Sequence, residues 1–481
     1  MHLTRKRSAW RPAVSGFCLA ILLSVPGLRA AGYFCDPDKG NMSNPGTSES
    51  PWSTLQAVFE RGTAFAPGDV IYLRNGYHGS PEITGGPGSG NVIIQAQEGH
   101  TPALRRLGAK NARNWIVSGL NISQLNASEI DKVDNRTSVW GLVDLAPTSD
   151  HITVKNCTIY GAKSVVGWNA SDFGPRMGTG VHVAGEHCIV EDNHIFNIRT
   201  GVWVKPTARF VAVRDNTIED ILNDGIFALA DDGLYEYNLI RNWYGVNENH
   251  DDGIQSWASG GQTGIPIGDH EVDNCIFRGN TIINNSVGAG RLFPDDATHG
   301  VNGMGFFAGM FVNCVIENNL IIVDHVHGLT VQGATNCRIV NNTVIQNPYH
   351  PLNHIPIITI RHHPNHAGHP ELLSSGNIIQ NNLASDLPSG SDVWAAVGVL
   401  NYPNSSNVES RNYAAEFRNF PATNLNAGYD LHLKPTSRAV GIGFTSNAPT
   451  IDHDRAPRSE PYDAGAFESD SGTPTAAKIK P

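Results

Sequence analysis

The sequence predicts an all-β protein wound as a single-stranded right-handed parallel β-helix, and three observations predict it. A short strand of the form Gly-apolar-x-apolar recurs along the chain, at the spacing of roughly 20 to 50 residues that marks stacked architectures. About ten to fifteen residues after each such strand comes a second one with an Asn just ahead of its apolar pair, which places one polar side chain at a fixed turn position. The composition agrees: 50 Gly and only 16% charged residues suit a turn-rich β protein and suit long amphipathic helices poorly. A single short strand cannot bury its apolar face alone, but copies stacked on one another can, with the Asn side chains bonding from turn to turn. A propeller would need longer and more regular units, and a doubly wound sheet would need intervening amphipathic helices.

Taken in order, the chain begins with Arg5, Lys6, Arg7 and Arg11, an apolar run from Val14 to Val25, and Leu28-Arg29-Ala30-Ala31. This is the layout of a secretory signal peptide, assigned to residues 1–31. The apolar run is too short for a membrane span, so a secreted or periplasmic, monomeric protein is expected. The helix is assigned to residues 32–390, with 32–75 as a lead-in cap, and 391–481 to a C-terminal capping region. The first-half strands are TGVHV (Thr179 to Val183), TGVWV (Thr200 to Val204), DGIFA (Asp224 to Ala228), DGIQS (Asp252 to Ser256), MGFFA (Met304 to Ala308) and HGLTV (His327 to Val331). The Asn of the second half is Asn193, Asn216, Asn238, Asn280, Asn319, Asn342 and Asn382. The interval between Gly253 and Gly305 is about double the others yet holds one second-half strand, so it reads as one turn with two insertions, Ala258 to Asp269 and Ser286 to Asn302.

Alternation assigns directions. With Val181, Val202, Ile226, Ile254, Phe306 and Leu329 inward, the residues one place along face out: His182, Trp203, Phe227, Gln255, Phe307 and Thr330. Two places further the outward surface continues through Lys205, Leu229, Trp257 and Gln332, and through Arg361 if ITIRHH is the next turn. An outward stripe of aromatic and polar side chains fits a sugar-binding groove, with Trp203, Phe227, Gln255, Trp257 and Gln332 as substrate contacts. Beside it, Asp224 and Asp252 hold equivalent places on neighbouring turns, with Asp251 adjacent, and crowded carboxylates demand a cation or a shared proton. His327 falls two turns beyond Asp252, roughly 10 Å away at the spacing of adjacent strands, and Arg361 one turn further. His250 precedes the Asp pair, and Lys205 lies on its other side. HHPNHAGH after Arg361 reads as a loop rather than a zinc site because its spacing is irregular.

The formal charge of −11 argues against nucleic acid as a partner, and an acidic polysaccharide would need a bound cation or local basic residues to hold it. Cys157, Cys188, Cys275, Cys314 and Cys337 each precede an alternating apolar strand, as if at one repeat position. They are expected to form a buried stack of unpaired thiols, with Cys35 unassigned.

The segments DPDKGNMSNPGTSESPWSTLQ and PGDVIYLRNGYH (Asp36 to His78), and YDLHLKPTSRAVGIG with DHDRAPRSEPYDAGAFE (Tyr429 to Glu468), resemble the ends of secreted right-handed β-helix proteins that include polysaccharide lyases of the alginate lyase and chondroitinase B kind. The Asp cluster is similar to that of family nine pectate lyases, where an Asp-Gly turn and an Asp-Asp-Gly turn supply calcium ligands. The resemblance implies Asp224, Asp251 and Asp252 as ligands of Ca2+. Gln255 stands where that family has a further Asp, and the Lys that serves it as base has no counterpart, because no Lys lies between Lys205 and Lys434.

A lyase acting on a uronic acid polymer must acidify the proton at carbon five, which an ion on the carboxylate achieves, and must place a base within hydrogen-bond reach. His327, Arg361, His250 and Lys205 are the candidates. The rival reading is inverting hydrolysis by Asp224 and Asp251, because Asn223/Asp224, Asp251/Asp252, His327-Gly328 and Arg361 loosely echo the polygalacturonase blocks. A C5-epimerase and a non-catalytic carbohydrate-binding β-helix also fit.

Overall fold

The computed structural model describes residues 30–125, 141–246, 249–257, 271–284, 300–349, 352–363, 372–388, 391–401, 405–422, 425 and 428–469. It is a parallel β-helix, and each turn contributes one strand to each of three long sheets. The site sheet runs through Thr179–Val183, Thr200–Val204, Ile226–Ala228, Asp252–Trp257, Asn302–Phe307, Leu329–Gln332 and Ile358–Arg361, every adjacent pair parallel. A middle sheet (Ile189–Glu191, Ala212–Arg214 and onward) and a back sheet (His194–Ile198, Thr217–Ile221 and onward) complete the cross-section. The signal segment and the two proposed insertions lie outside the described residues, apart from a few residues at their ends. No described helix is long and apolar enough to cross a membrane.

The corner between the middle and back sheets is held by the predicted Asn ladder. Asn216 donates from its backbone N–H and from Nδ2 to Asn238 Oδ1, and again from Nδ2 to the Val190 carbonyl of the preceding turn, while its own Oδ1 accepts from Asn193. The pattern repeats through Asn280, Asn319, Asn342 and Asn382 to Asn407. Each buried amide is thereby satisfied, as a polar group in an apolar core must be.

The corner between the back and site sheets is a column of glycines. At Gly180, Gly201, Gly225, Gly253 and Gly303 an added Cβ would stand 2.1 to 2.7 Å from the carbonyl oxygen of the next glycine in the column, so no side chain fits. This column corrects one strand. Ile254 pairs with Met304, which puts Gly303 rather than Gly305 opposite Gly253. The outward residue beside Gln255 is therefore Gly305, Phe307 lies beside Trp257, and Asn302 belongs to the strand instead of ending an insertion.

The cysteines also divide. Cys188, Cys275, Cys314 and Cys337 precede equivalent strands of the middle sheet, and the last three are consecutive there. Cys157 instead heads the Asn ladder, its N–H donating to Asn193 Oδ1. All six described cysteines are buried and unpaired, and burial pushes the Cys157 and Cys188 thiols up to about 12.

The lead-in is part of the ladder, since Gly32–Cys35 pairs in parallel with Val70–Leu73, and the helix Leu55–Glu60 buries Leu55 and Val58 over the end of the core. At the other end parallel pairing continues past residue 390 to Val408–Glu409, and an antiparallel pair, Phe417–Asn419 with Asp430–Leu433, follows it.

Candidate active site

The first residue of each site-sheet turn forms one outward column, because the register sets Thr200, Asp224, Asp252, Asn302 and His327 beside one another in succession. Asp224 and Asp252 are neighbours at the spacing of adjacent strands, about 4.8 Å, and both are buried, Asp252 completely. The backbone N–H of Asp252 donates to the Asp224 carboxylate. Asp252 accepts from Gln255 Nε2 at 3.0 Å and from the Asn302 side chain. One carboxylate oxygen of each Asp, and the side-chain oxygen of Asn302, are buried with no hydrogen-bond partner.

Two buried carboxylates in contact cannot both be charged without a counterion. Burial pushes the Asp224 carboxyl up to about 7, and burial with the Asp224 charge beside it raises Asp252 well above the ordinary range. The unpartnered donors are all oxygen and come from three consecutive turns, which fits a hard cation such as Ca2+. Asp251 does not complete it as expected. The three carboxylates do not bring their ligand atoms mutually within 4.8 Å, and Asp251 Oδ1 instead faces Asn249 Nδ2 at 3.4 Å. The third oxygen is that of Asn302, which sequence reasoning missed because the strand was set two residues out of register.

Downstream, His327 sits two turns beyond Asp252, its Nδ1 3.0 Å from Thr330 Oγ1 and its ring edge-on to Phe307 at 5.3 Å. Burial, with Arg361 and His250 close enough to repel a proton, lowers it to about 4, and His325 beside it falls to about 4 for the same first reason. Both imidazoles are neutral at pH 7. Arg361 is exposed and pairs in register with Gln332, one turn past His327.

Upstream, Trp203, Phe227 and Trp257 form a continuous run, Trp203 stacked on Phe227 at 5.6 Å and Phe227 edge-on to Trp257 at 5.8 Å. The Lys205 ammonium lies 3.1 Å from the centre of the Trp203 ring, so that face already carries a cation. Burial lowers Lys205. Every predicted site residue described here thus lies on or beside one face of one sheet, the carboxylates at its centre, the Trp–Lys pair on one side and the His–Arg group on the other.

A family model described as a right-handed β-helix region matches residues 133–265. No curated protein matches the chain. Among solved structures, a pectate lyase is 16% identical over 92% of this chain and 97% of its own, with a TM-score of 0.48. An alginate lyase from Paenibacillus sp. is 13% identical over 61% of this chain and 90% of its own, with a TM-score of 0.39. The mannuronan C-5 epimerase A-module of Azotobacter vinelandii is 13% identical over 68% and 80%, with a TM-score of 0.41.

Proposed function

We propose that the protein is a secreted polysaccharide lyase that cleaves a uronic-acid polymer by β-elimination with the help of Ca2+. The observation that carries this reading is the pair Asp224 and Asp252, in register and buried on the outward face of the site sheet, with unpartnered oxygens that Asn302 extends to a third turn. Asp224, Asp252 and Asn302 would hold the ion, Asp251 adding negative charge beside them. A bound Ca2+ supplies charge neutralisation at the substrate carboxylate, which acidifies the proton at carbon five.

The chain's own groups do the rest. His327, kept neutral by burial, has a free electron pair and stands in the same column as the carboxylates, so it is assigned proton abstraction, with His250 beside it. The fork of Arg361 suits a carboxylate on a neighbouring sugar, and the Lys205 ammonium offers a second anion contact at the opposite end. Phe227, Trp257, Gln255 and Gln332 line the course of the polymer between them.

Incubation with polygalacturonate, alginate, glucuronan and glycosaminoglycans, with calcium or chelator, tests the reading. Calcium-dependent ultraviolet absorbance of an unsaturated uronide is the expected result. A second reading, inverting hydrolysis, would pair the Asp224 carboxyl, pushed up to about 7, with Asp251, because an inverting pair needs roughly 6.5–9.5 Å between its carboxyls to admit a water and Asp252 stands too close. New reducing ends that form without that absorbance, and in the presence of chelator, select hydrolysis. Binding without any product selects a carbohydrate-binding role.

A further inference from the structure

At the corner between the site sheet and the middle sheet, each turn passes through one residue in the left-handed region. Most turns place Asn or Asp there, as at Asn114, Asp232, Asn274 and Asn313, whose φ values are 54° to 59°. Two consecutive turns carry histidine instead, His151 (φ 54°) and His187 (φ 49°), set side by side by the bridge between Asp150 and Glu186. Their rings lie face to face, 4.5 Å apart and 21° from parallel. Both Nδ1 atoms address one oxygen, Asp150 Oδ1, at 2.6 and 3.0 Å. The other oxygen of Asp150 accepts from Arg113 at 3.1 Å, which fixes the carboxylate's orientation.

From this arrangement we propose a second cation site, for a borderline divalent transition ion of the zinc or copper class, formed by Asp150, His151 and His187. Among the described residues these are the three ligand-bearing side chains whose donor atoms lie mutually within 4.8 Å. Ligands of a tetrahedral zinc ion at about 2.0–2.1 Å stand roughly 3.3 Å from one another. The two contacts to Asp150 would lengthen by about 0.7 and about 0.3 Å, and the two ring nitrogens, within 4.8 Å of one another, would settle at the same spacing. Each neutral imidazole then carries its proton on Nε2 and presents the Nδ1 electron pair to the ion. Two imidazole nitrogens and one carboxylate select zinc or copper over calcium, opposite to the all-oxygen set at Asp224 and Asp252. The ligating carboxylate is itself hydrogen-bonded, by Arg113, as is usual around bound metals. The side chains of His151 and His187 are 53% and 40% exposed, so an ion enters without opening the fold and a water can complete the coordination.

The test uses the chelator-treated full mature chain in excess calcium, titrated calorimetrically with zinc, beside the double variant His151→Asn/His187→Asn, which restores the residue other turns carry at this corner. The wild type should take up one more zinc per chain than the variant, and zinc should raise its melting temperature but not the variant's. With copper, electron paramagnetic resonance should show nitrogen coupling that the variant lacks. Asp150→Asn, which keeps both rings, should weaken zinc binding at least tenfold, and it decides the matter if the double variant does not fold. Equal zinc uptake and identical copper spectra in wild type and variants would overturn the site and leave a hydrogen-bonded surface cluster.

Discussion

Asp252 is a carboxylate that the fold removes from water and sets beside a second one, and the chemistry of the site follows from that placement. Without an ion, the pair is stabilised by holding a proton. The Asp224 carboxyl rises from 3.8 in the unfolded chain to about 7, so its favourable contribution is complete below about pH 4 and is lost as the pH rises through about 7, on the order of 4 kcal/mol before relaxation. His325 and His327 have the opposite sign: lowered from 6.5 to about 4, they contribute stability above pH 6.5 that is lost as the pH falls. The two trends overlap, so the informative quantity is the difference in melting temperature between calcium-loaded and chelated protein. It should be near zero around pH 4 and grow to its maximum above pH 7, and Asp252→Asn should remove it. A calcium response of equal size in wild type and variant would sink the cation site. At neutral pH Asp252→Asn should also abolish the proposed eliminase activity while leaving the chelated protein as stable as wild type or more so, because it relieves a buried charge. Asp224 and Asp252 were legible in the sequence because Asp-Gly recurs before matching strands. Asn302 was not, since Asn-Gly-Met-Gly offers two glycines and a slip of two residues keeps every side chain on its proper face.

Among the elements, the corners determine the register, and the strands follow. Asn216→Ala would leave donors on Asn193 and a carbonyl at Val190 without partners inside the core. An unsatisfied buried polar group costs about 1–3 kcal/mol, so the variant should lose at least that much in denaturant melts, with fold and activity otherwise retained. Gly225→Ala tests the opposite corner. Its methyl would stand 2.3 Å from Ile240 Cγ2 and 2.6 Å from the Gly253 carbonyl, backbone that other turns hold in place. The loss should match or exceed the 1–3 kcal/mol typical of overpacking, and calcium affinity should fall with it because Asp224 is the adjoining residue. A Gly225→Ala protein with unchanged melting and calcium binding contradicts the glycine column as drawn. The Asn corner was legible residue by residue because a lone polar side chain before an apolar pair is conspicuous. The cysteines were less so: Cys157 stands where later turns carry the ladder Asn, and local sequence does not separate that corner from the one occupied by Cys188, Cys275, Cys314 and Cys337.

The molecule as a whole is a stack in which each turn pairs with its neighbours and the C-terminal segment lies along the side, meeting turns from Asp215 to Asn381, and its fold could be read from the period while its site could not. The period reports what repeats, and what distinguishes this face is what departs from it: the carboxylates of Asp224 and Asp252, the cation on Trp203, the histidines after Val323. Stacking also raises the question of whether the ends open before the middle. One core cluster runs without a break from Cys35 to Val399. An aromatic group seals its first turns, with Tyr33 stacked on Trp52 at 4.8 Å and Phe65 edge-on to Trp115 at 5.7 Å. A continuous core with a sealed end should unfold as one unit. The buried thiols distributed along it provide the measurement, since Cys35 lies in the first turn, Cys157 and Cys188 before the site, and Cys275, Cys314 and Cys337 beyond it. Under native conditions all six should resist a thiol reagent, and reductant should leave the melting temperature unchanged because the six described cysteines are unpaired. In intermediate denaturant they should react at a common rate, followed by mass spectrometry of the labelled peptides. Faster labelling of Cys35 than of Cys275 would show instead that the first turns fray independently, and the proposed cation site at Asp224 and Asp252 would then rest on a sub-stack that begins after them.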